Sequence, residues 1–243
     1  MNIVDYAKIF NFHGRGVYAL GRVVDTFLEV QLFDLLRNVN TASIKTNGYS
    51  DNRYMIYQPV YTSVCKEMIR KSFEWYRSGI KYSNDNLMPI YIDLGSGSGK
   101  TVLIAMETGF FEMYAGVELD AELHERSRKN SSLRIKSKNL NVLNILGNVE
   151  NKSWVQTILE KVPENRHSNI VPFIFNKNSY NNEVVRSTLD LAKDHFKNIM
   201  YLYQNPIHHK EVLASNFHEV QRDSQKNSAH KNKKYIIYHY SGR

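Results

Sequence analysis

Residues 88–99, MPIYIDLGSGSG, decide the fold. A short apolar run ends on an acid, Asp93, and three alternating glycines follow before an apolar helical pattern, GKTVLIAMETGF. A parallel strand that turns sharply into a helix has this form, and in an open sheet such a turn lies at the ligand-binding end. The Gly-Lys-Thr that closes the turn invites comparison with a P-loop. That motif, G-x-x-x-x-G-K-[ST], needs its first glycine five positions before Gly99, where Leu94 stands.

Working outward, strand and helix signals alternate. MYAGVEL reads as a second strand, and DAELHERSRKN as a charged helix opened by Asp120 as its N-cap. NVLNILG, VPFIFN and NIMYLYQN give three more strands, with helices around 154–161 and 183–196 between them. Alternation at this spacing implies right-handed crossovers and a mostly parallel sheet. NFHEVQRD and KKYIIYHY leave no room for a crossover helix, so they are expected to form an antiparallel hairpin at the C-terminal end. Upstream, PVYTSVCKEMIRKSFEWYRSG places Val64, Met68, Ile69 and Phe73 at helical spacing and closes on Gly79. Before it lie a helical pattern and the turn-rich TASIKTNGYSDN. The expected organisation is α/β: residues 1–56 as an N-terminal helical cap, and 57–243 as a domain built on a seven-stranded sheet.

A chain of 243 residues and 28.4 kDa suits one such domain with a small appendage. Its 42% hydrophobic and 23% charged content is that of a folded protein. The single cysteine, Cys65, excludes an intrachain disulfide, and no Cys/His cluster has zinc-ligand spacing, so no metal is expected. The N-terminus lacks the form of a signal peptide, and no apolar run has the roughly 18 residues of a membrane span. A cytoplasmic protein away from membranes is therefore expected. The net charge of +8 permits a polyanionic partner, although a solvated basic surface has the same composition.

The ligand of the glycine turn can be narrowed by chemistry. Gly95, Gly97 and Gly99 permit close approach of a ligand to the backbone, and Glu118 ends the next strand at about the 20-residue distance where a carboxylate meets ribose hydroxyls. A nicotinamide dinucleotide site wants G-x-G-x-x-G, and Asp93 would repel a nearby pyrophosphate. A P-loop enzyme wants a magnesium-binding acid on a later strand, and neither VPFIFN nor IMYLYQN supplies one. A ribose-bearing ligand with an ammonium group and no phosphate suits both acids, and S-adenosylmethionine has that description.

On these residues the chain resembles the class I methyltransferase family, whose first motif is an acid followed by G-x-G-x-G and whose second is an acid ending strand two. YQPV at 57–60, FIFN at 173–176 and YLYQNPIHHKEVL at 201–213 add a resemblance to a bacterial group related in pattern to the non-SET histone-lysine methyltransferases. The resemblance implies a Rossmann-like fold and an enzyme that uses S-adenosyl-L-methionine. It implies that Asp93 organises the cofactor's amino-acid end, that Gly95, Ser96, Gly97 and Gly99 form the turn against it, and that Glu118 takes the ribose hydroxyls. Asn148 would accept a hydrogen bond from the adenine amino group, with Leu119 and Val149 flanking the ring. Asn176 would touch the acceptor, and Tyr57 would cover the site as a lid residue.

One departure bears on the acceptor. Families that methylate the amino groups of bases or glutamine have [DN]PP[YF] after strand four, whereas this chain has Lys177 after Asn176. The resemblance slightly favours a protein side chain as acceptor, and the positive charge keeps RNA beside it. A catalytically silent cofactor-binding module, serving as a scaffold or RNA-binding subunit, is the second reading. The His208-His209 pair reads as helix-start packing or surface, and QKNSAHKNKK as a hairpin tip that is either solvated or grips an anion.

Overall fold

A computed structural model describes residues 24, 27–41, 60–79, 86–138, 140–177, 180–223 and 234–242. Most of the expected cap, Tyr57 and nearly all of the hairpin tip lie outside these residues. The first described elements are a π-helical turn, Phe27–Gln31, continuing into α1, Leu32–Arg37, which ends on Asn38 in the left-handed conformation. Helix α2 spans Thr62–Ser78 and stops at Gly79, as the apolar spacing predicts.

The core of the chain then alternates. Strand β1 (Met88–Leu94) leads through the glycine turn to α3 (Lys100–Thr108), then β2 (Met113–Glu118), α4 (Ala121–Lys138), β3 (Val142–Leu146) and α5 (Ser153–Leu159). A 3-10 turn at Glu164–Asn169 enters β4 (Ile170–Asn176), followed by α6 (Asn182–His195), β5 (Asn198–Gln204) and α7 (His209–Ala214). Strands β6 (His218–Arg222) and β7 (Tyr235–Ser241) end the chain. They form one seven-stranded sheet in the order β3-β2-β1-β4-β5-β7-β6, parallel from β3 to β5 and antiparallel at β5–β7 and β7–β6. The fold is the Rossmann-like α/β sheet with a C-terminal antiparallel pair that the sequence implies.

The strand order reverses between β1 and β4, and such a switch point opens a crevice beyond the carboxyl ends of the strands. β1 and β4 carry continuous apolar runs because both their faces are covered by helices. Alternation sends Ile90, Ile92 and Leu94 to one face, packed with Trp154, Ile158, Val184 and Leu189 of α5 and α6. Tyr91 points to the other face, against Cys65, Met68 and Ile69 of α2 and Val102, Leu103 and Ile104 of α3. Asp93 shares the parity of Tyr91, so the α2 and α3 face carries the acid that ends β1. Asp120 caps α4 as expected, its Oδ1 accepting from the Leu123 N–H at 2.9 Å.

Candidate functional site

The turn after β1 is pinned to β2. Gly95 and Ser96 donate their N–H groups to the Val117 carbonyl at 2.9 and 3.0 Å, and Gly99 donates to the Ser96 carbonyl at 2.9 Å. This path needs φ of 75° at Gly95, 54° at Gly97 and 83° at Gly99, a left-handed region that costs any residue with a Cβ roughly 1 kcal/mol or more. Ser96 is seated directly on β2: a Cβ built at Gly116 would come within 2.9 Å of its Oγ. The missing side chain at Gly116 thus sets how close the turn lies to the second strand.

The two acids flank this turn in different states. Glu118 is buried, and its carboxylate accepts from the Gly97 N–H at 2.7 Å and from the Asp120 N–H at 2.9 Å. Burial raises its pKa, and the N–H groups of Asp120, Gly97 and Leu119 oppose the rise. A carboxylate has about four acceptor positions, so the backbone donors leave capacity for hydroxyl groups. Asp93 is more deeply enclosed, only 3% exposed, and accepts from the Thr101 hydroxyl. Burial pushes its carboxyl up to about 7, the Thr101 hydroxyl resists, and the nearby charge of Glu118 adds to the rise. An acid held this far from its ordinary range gains most from a cation placed beside it.

The remaining residues marked in the sequence fall around these two. Ser96, Gly97 and Gly99 belong to the turn itself. Leu119, 38% exposed, stands open beside Glu118, while Val149 is buried with its carbonyl accepting from Trp154 Nε1 at 2.9 Å. Asn148 Oδ1 accepts from the Glu150 N–H at 2.9 Å, which fixes the direction of its amide. Asn176 ends β4, one residue after Phe175, which pairs with Asp93 of β1. It shares the parity of Ile174 on the α5 and α6 face, is only 1% exposed, and its Nδ2 donates to Tyr201 Oη at 2.9 Å.

Two lysines and a threonine were legible only in part. The Gly-Lys-Thr triplet, set aside as a broken phosphate motif, supplies Thr101 to Asp93 and buries Lys100. Lys100 Nζ donates to the Glu29 carbonyl at 2.5 Å and lies 4.9 Å from the centre of the Phe33 ring, so it ties the N-terminal segment to the start of α3. Its pKa is lowered to about 8, mainly by burial, with the acids Asp34 and Glu29 opposing and Arg37 acting with burial. Lys177, immediately after β4, is also lowered to about 8, first by burial and then by the charge of Lys100. Beneath them Cys65 is fully buried, its thiol pushed up by burial and by Asp93. His209 is a packing residue with its Nδ1 2.6 Å from Tyr238 Oη.

Among the described residues no group of three or more His, Cys, Asp or Glu could hold a metal ion, and no helix is long and apolar enough to cross a membrane. No family model matches the chain, and no curated protein does. Solved structures similar to it include several methyltransferases. The magnesium protoporphyrin IX methyltransferase of Synechocystis PCC 6803 with bound SAM aligns over 91% of this chain and 96% of its own, at 8% identity and a TM-score of 0.48. An RNA methyltransferase from Salinibacter ruber in complex with S-adenosyl-L-homocysteine covers 75% of this chain and 92% of its own, at 14% identity and a TM-score of 0.43. The ribosomal protein L11 methylase from Lactobacillus delbrueckii subsp. bulgaricus covers 78% and 91%, at 12% identity and a TM-score of 0.44. At such scores none of the three says what this chain binds or modifies.

Proposed function

We propose that this protein is an S-adenosyl-L-methionine-dependent methyltransferase acting on a macromolecular acceptor. The observation that carries the reading is the pair of buried carboxylates, Asp93 and Glu118, ending adjacent strands on either side of one glycine turn. Their states suit different parts of one ligand. Asp93, starved of solvent, is the partner for an ammonium group, and Glu118, already fixed by backbone N–H groups, presents its remaining acceptor positions to ribose hydroxyls. Gly95, Ser96, Gly97 and Gly99 would let the ligand approach the backbone, with Leu119, Asn148 and Val149 around the base.

When bound, S-adenosylmethionine supplies a methyl group on a sulfonium, which needs only a nucleophile aligned behind it. The chain's contribution is then alignment and exclusion of water. The enclosed residues Asp93, Thr101 and Lys100 exclude water on the α2 and α3 side. Residues 1–56 are proposed as a cap over the site, on a domain of residues 57–243; the described part of the cap is tied down by Lys100 and by the pairing of Arg37 with Glu107. Tyr57 as a lid residue and Asn176 as an acceptor contact belong to the same proposal. The resemblance leans towards a protein side chain as acceptor, and the lysines near the site lean towards RNA.

Titration calorimetry with S-adenosylhomocysteine tests the reading. Wild type is expected to bind, and Glu118→Ala to lose about a hundredfold in affinity, roughly 2.7 kcal/mol. Equal affinities would remove Glu118 from the site. The second reading, a silent cofactor-binding module, is motivated by Asn176 being engaged with Tyr201 and by Lys177 beside it. It requires binding of the same ligand with no transfer of label to any cell fraction.

A further inference from the structure

Resting on the reading of the glycine turn as a cofactor site, we infer that Asn130 is a positioning residue: it couples the seating of residues 27–41 to the binding of the cofactor and slows the cofactor's release. Asn130 stands inside α4 and is only 4% exposed, at a helix-interior position where asparagine is a poor helix former. Its amide is employed in full. Nδ2 donates to the Asn40 carbonyl at 2.9 Å and Oδ1 accepts from the Asn40 N–H at 3.1 Å, a reciprocal pair of the kind two strands make. The second Nδ2 proton goes to the Ser98 carbonyl at 2.9 Å, inside the glycine turn. One side chain on α4 thus joins the N-terminal segment to the turn.

The neighbouring contacts converge on the same place. One helical turn before Asn130, Ser127 fills the space beside Gly99, where an added Cβ would collide with its Oγ. Helix α4 therefore holds the turn at two successive residues, 98 and 99. The other end of the segment is fastened at Glu29. Its carbonyl accepts from Lys100 Nζ at 2.5 Å and from Thr62 Oγ1 at 2.7 Å, and its Oε2 accepts from the Ser63 N–H at 2.9 Å, which caps the start of α2. Between the two ends Phe33 is buried in one cluster with Val60, Val64 and Leu103. Both ends of the segment are thus anchored on groups next to Gly99: Ser98 through Asn130, and Lys100 directly. A glycine-rich turn loses much conformational freedom when it is ordered. A ligand that fixes the turn therefore fixes the anchors of the segment, and a seated segment lowers the cost of ordering the turn for the ligand. Such coupling is reciprocal: what the ligand does for the segment, the segment does for the ligand.

Amide hydrogen exchange of the full chain, with and without S-adenosylhomocysteine, reads the coupling. In wild type the ligand is expected to slow exchange in residues 27–41 about tenfold, and in β6, at the far edge of the sheet, less than about twofold. In Asn130→Ala the slowing at 27–41 should fall below about twofold. The same variant should release S-adenosylhomocysteine about tenfold faster, with the association rate within about threefold of wild type. Asn130→Asp keeps an acceptor for the Asn40 N–H but turns a carboxylate oxygen towards two carbonyls, so it should release the ligand at least as fast as Asn130→Ala. Ser131→Ala instead breaks a link from α4 to Asn144 of β3, whose Nδ2 donates to Ser131 Oγ at 3.0 Å. It should keep the wild-type exchange and release rates, which separates loss of the clamp from a general loosening of α4. Wild type that binds the ligand with no slowing at 27–41, or Asn130→Ala with the wild-type release rate, overturns the inference and leaves the methyltransferase reading standing. Wild type that binds no S-adenosylhomocysteine overturns both. Should Asn130→Ala fail to fold, the exchange comparison in wild type decides by itself.

Discussion

The two faces of the sheet are built from the same kinds of strand residue, and they do different work. Under α5 and α6 the face is almost wholly apolar, centred on the fully buried Trp154, and its polar pair, Asn176 with Tyr201, is joined by a hydrogen bond. Under α2 and α3 the face carries Asp93, Thr101, Lys100 and Cys65 in the same depth of burial, and three of these groups are shifted towards neutrality, Asp93 and Cys65 up and Lys100 down. Burial that stabilises one face strains the other. Charged groups in such surroundings cluster at functional sites, and their cost is recovered when a ligand of opposite charge arrives.

The contrast can be broken by substitution. Leu189→Ala is expected to cost about 2–5 kcal/mol in urea unfolding, as truncation of a buried core leucine does, while the affinity of the folded protein for S-adenosylhomocysteine stays within about threefold. A large loss of affinity would mean that the two faces are not separable. Asp93→Asn is expected to act in the opposite sense. The folded protein holds the Asp93 proton up to about 7 against an ordinary 3.8, so between those values it binds more protons than the unfolded chain. Stability from this group is therefore present below about 3.8 and is lost as pH rises through 7. Removing the charge should stabilise the free protein at pH 8 by roughly 2–4 kcal/mol, visible as a higher thermal midpoint, and should remove most ligand binding. A destabilised Asp93→Asn at pH 8 would mean that Asp93 is a structural acid.

Smaller effects sharpen the same comparison. Tyr201→Phe removes the hydroxyl that accepts from Asn176 Nδ2 and should cost about 1–2 kcal/mol, with ligand affinity unchanged. If affinity falls instead, Asn176 is reached through Tyr201 from the site. Arg37→Ala removes a partly exposed pair with Glu107 and should cost about 1 kcal/mol or less, read from the thermal midpoint, with a faster release of ligand if the segment covers the crevice.

Most of the fold was legible because each strand from β1 to β5 is a separate apolar run, and because the hairpin sequences leave no length for a crossover. The placement of β7 between β5 and β6 was not legible, since pairing order at the end of a sheet depends on packing rather than on local pattern. At the site, Asp93 and Glu118 could be read from their positions at strand ends. The direction of Asn176 could not, because a side chain at the last position of a strand is assigned to a face only once its neighbours are known. Lys100 and Thr101 carried a visible signal that pointed to the wrong motif: the Gly-Lys-Thr triplet fits a phosphate cradle by composition, and only the turn's geometry assigns Thr101 to Asp93.

A crystal structure of the complex with S-adenosylhomocysteine tests the central claim most directly. The ribose hydroxyls should lie within about 3 Å of the Glu118 carboxylate, and the ammonium group beside Asp93, with the chain at Gly95–Gly99 in contact with the ligand. A ligand seated elsewhere, or a nucleotide phosphate taken up against Asp93 in its place, would contradict the account.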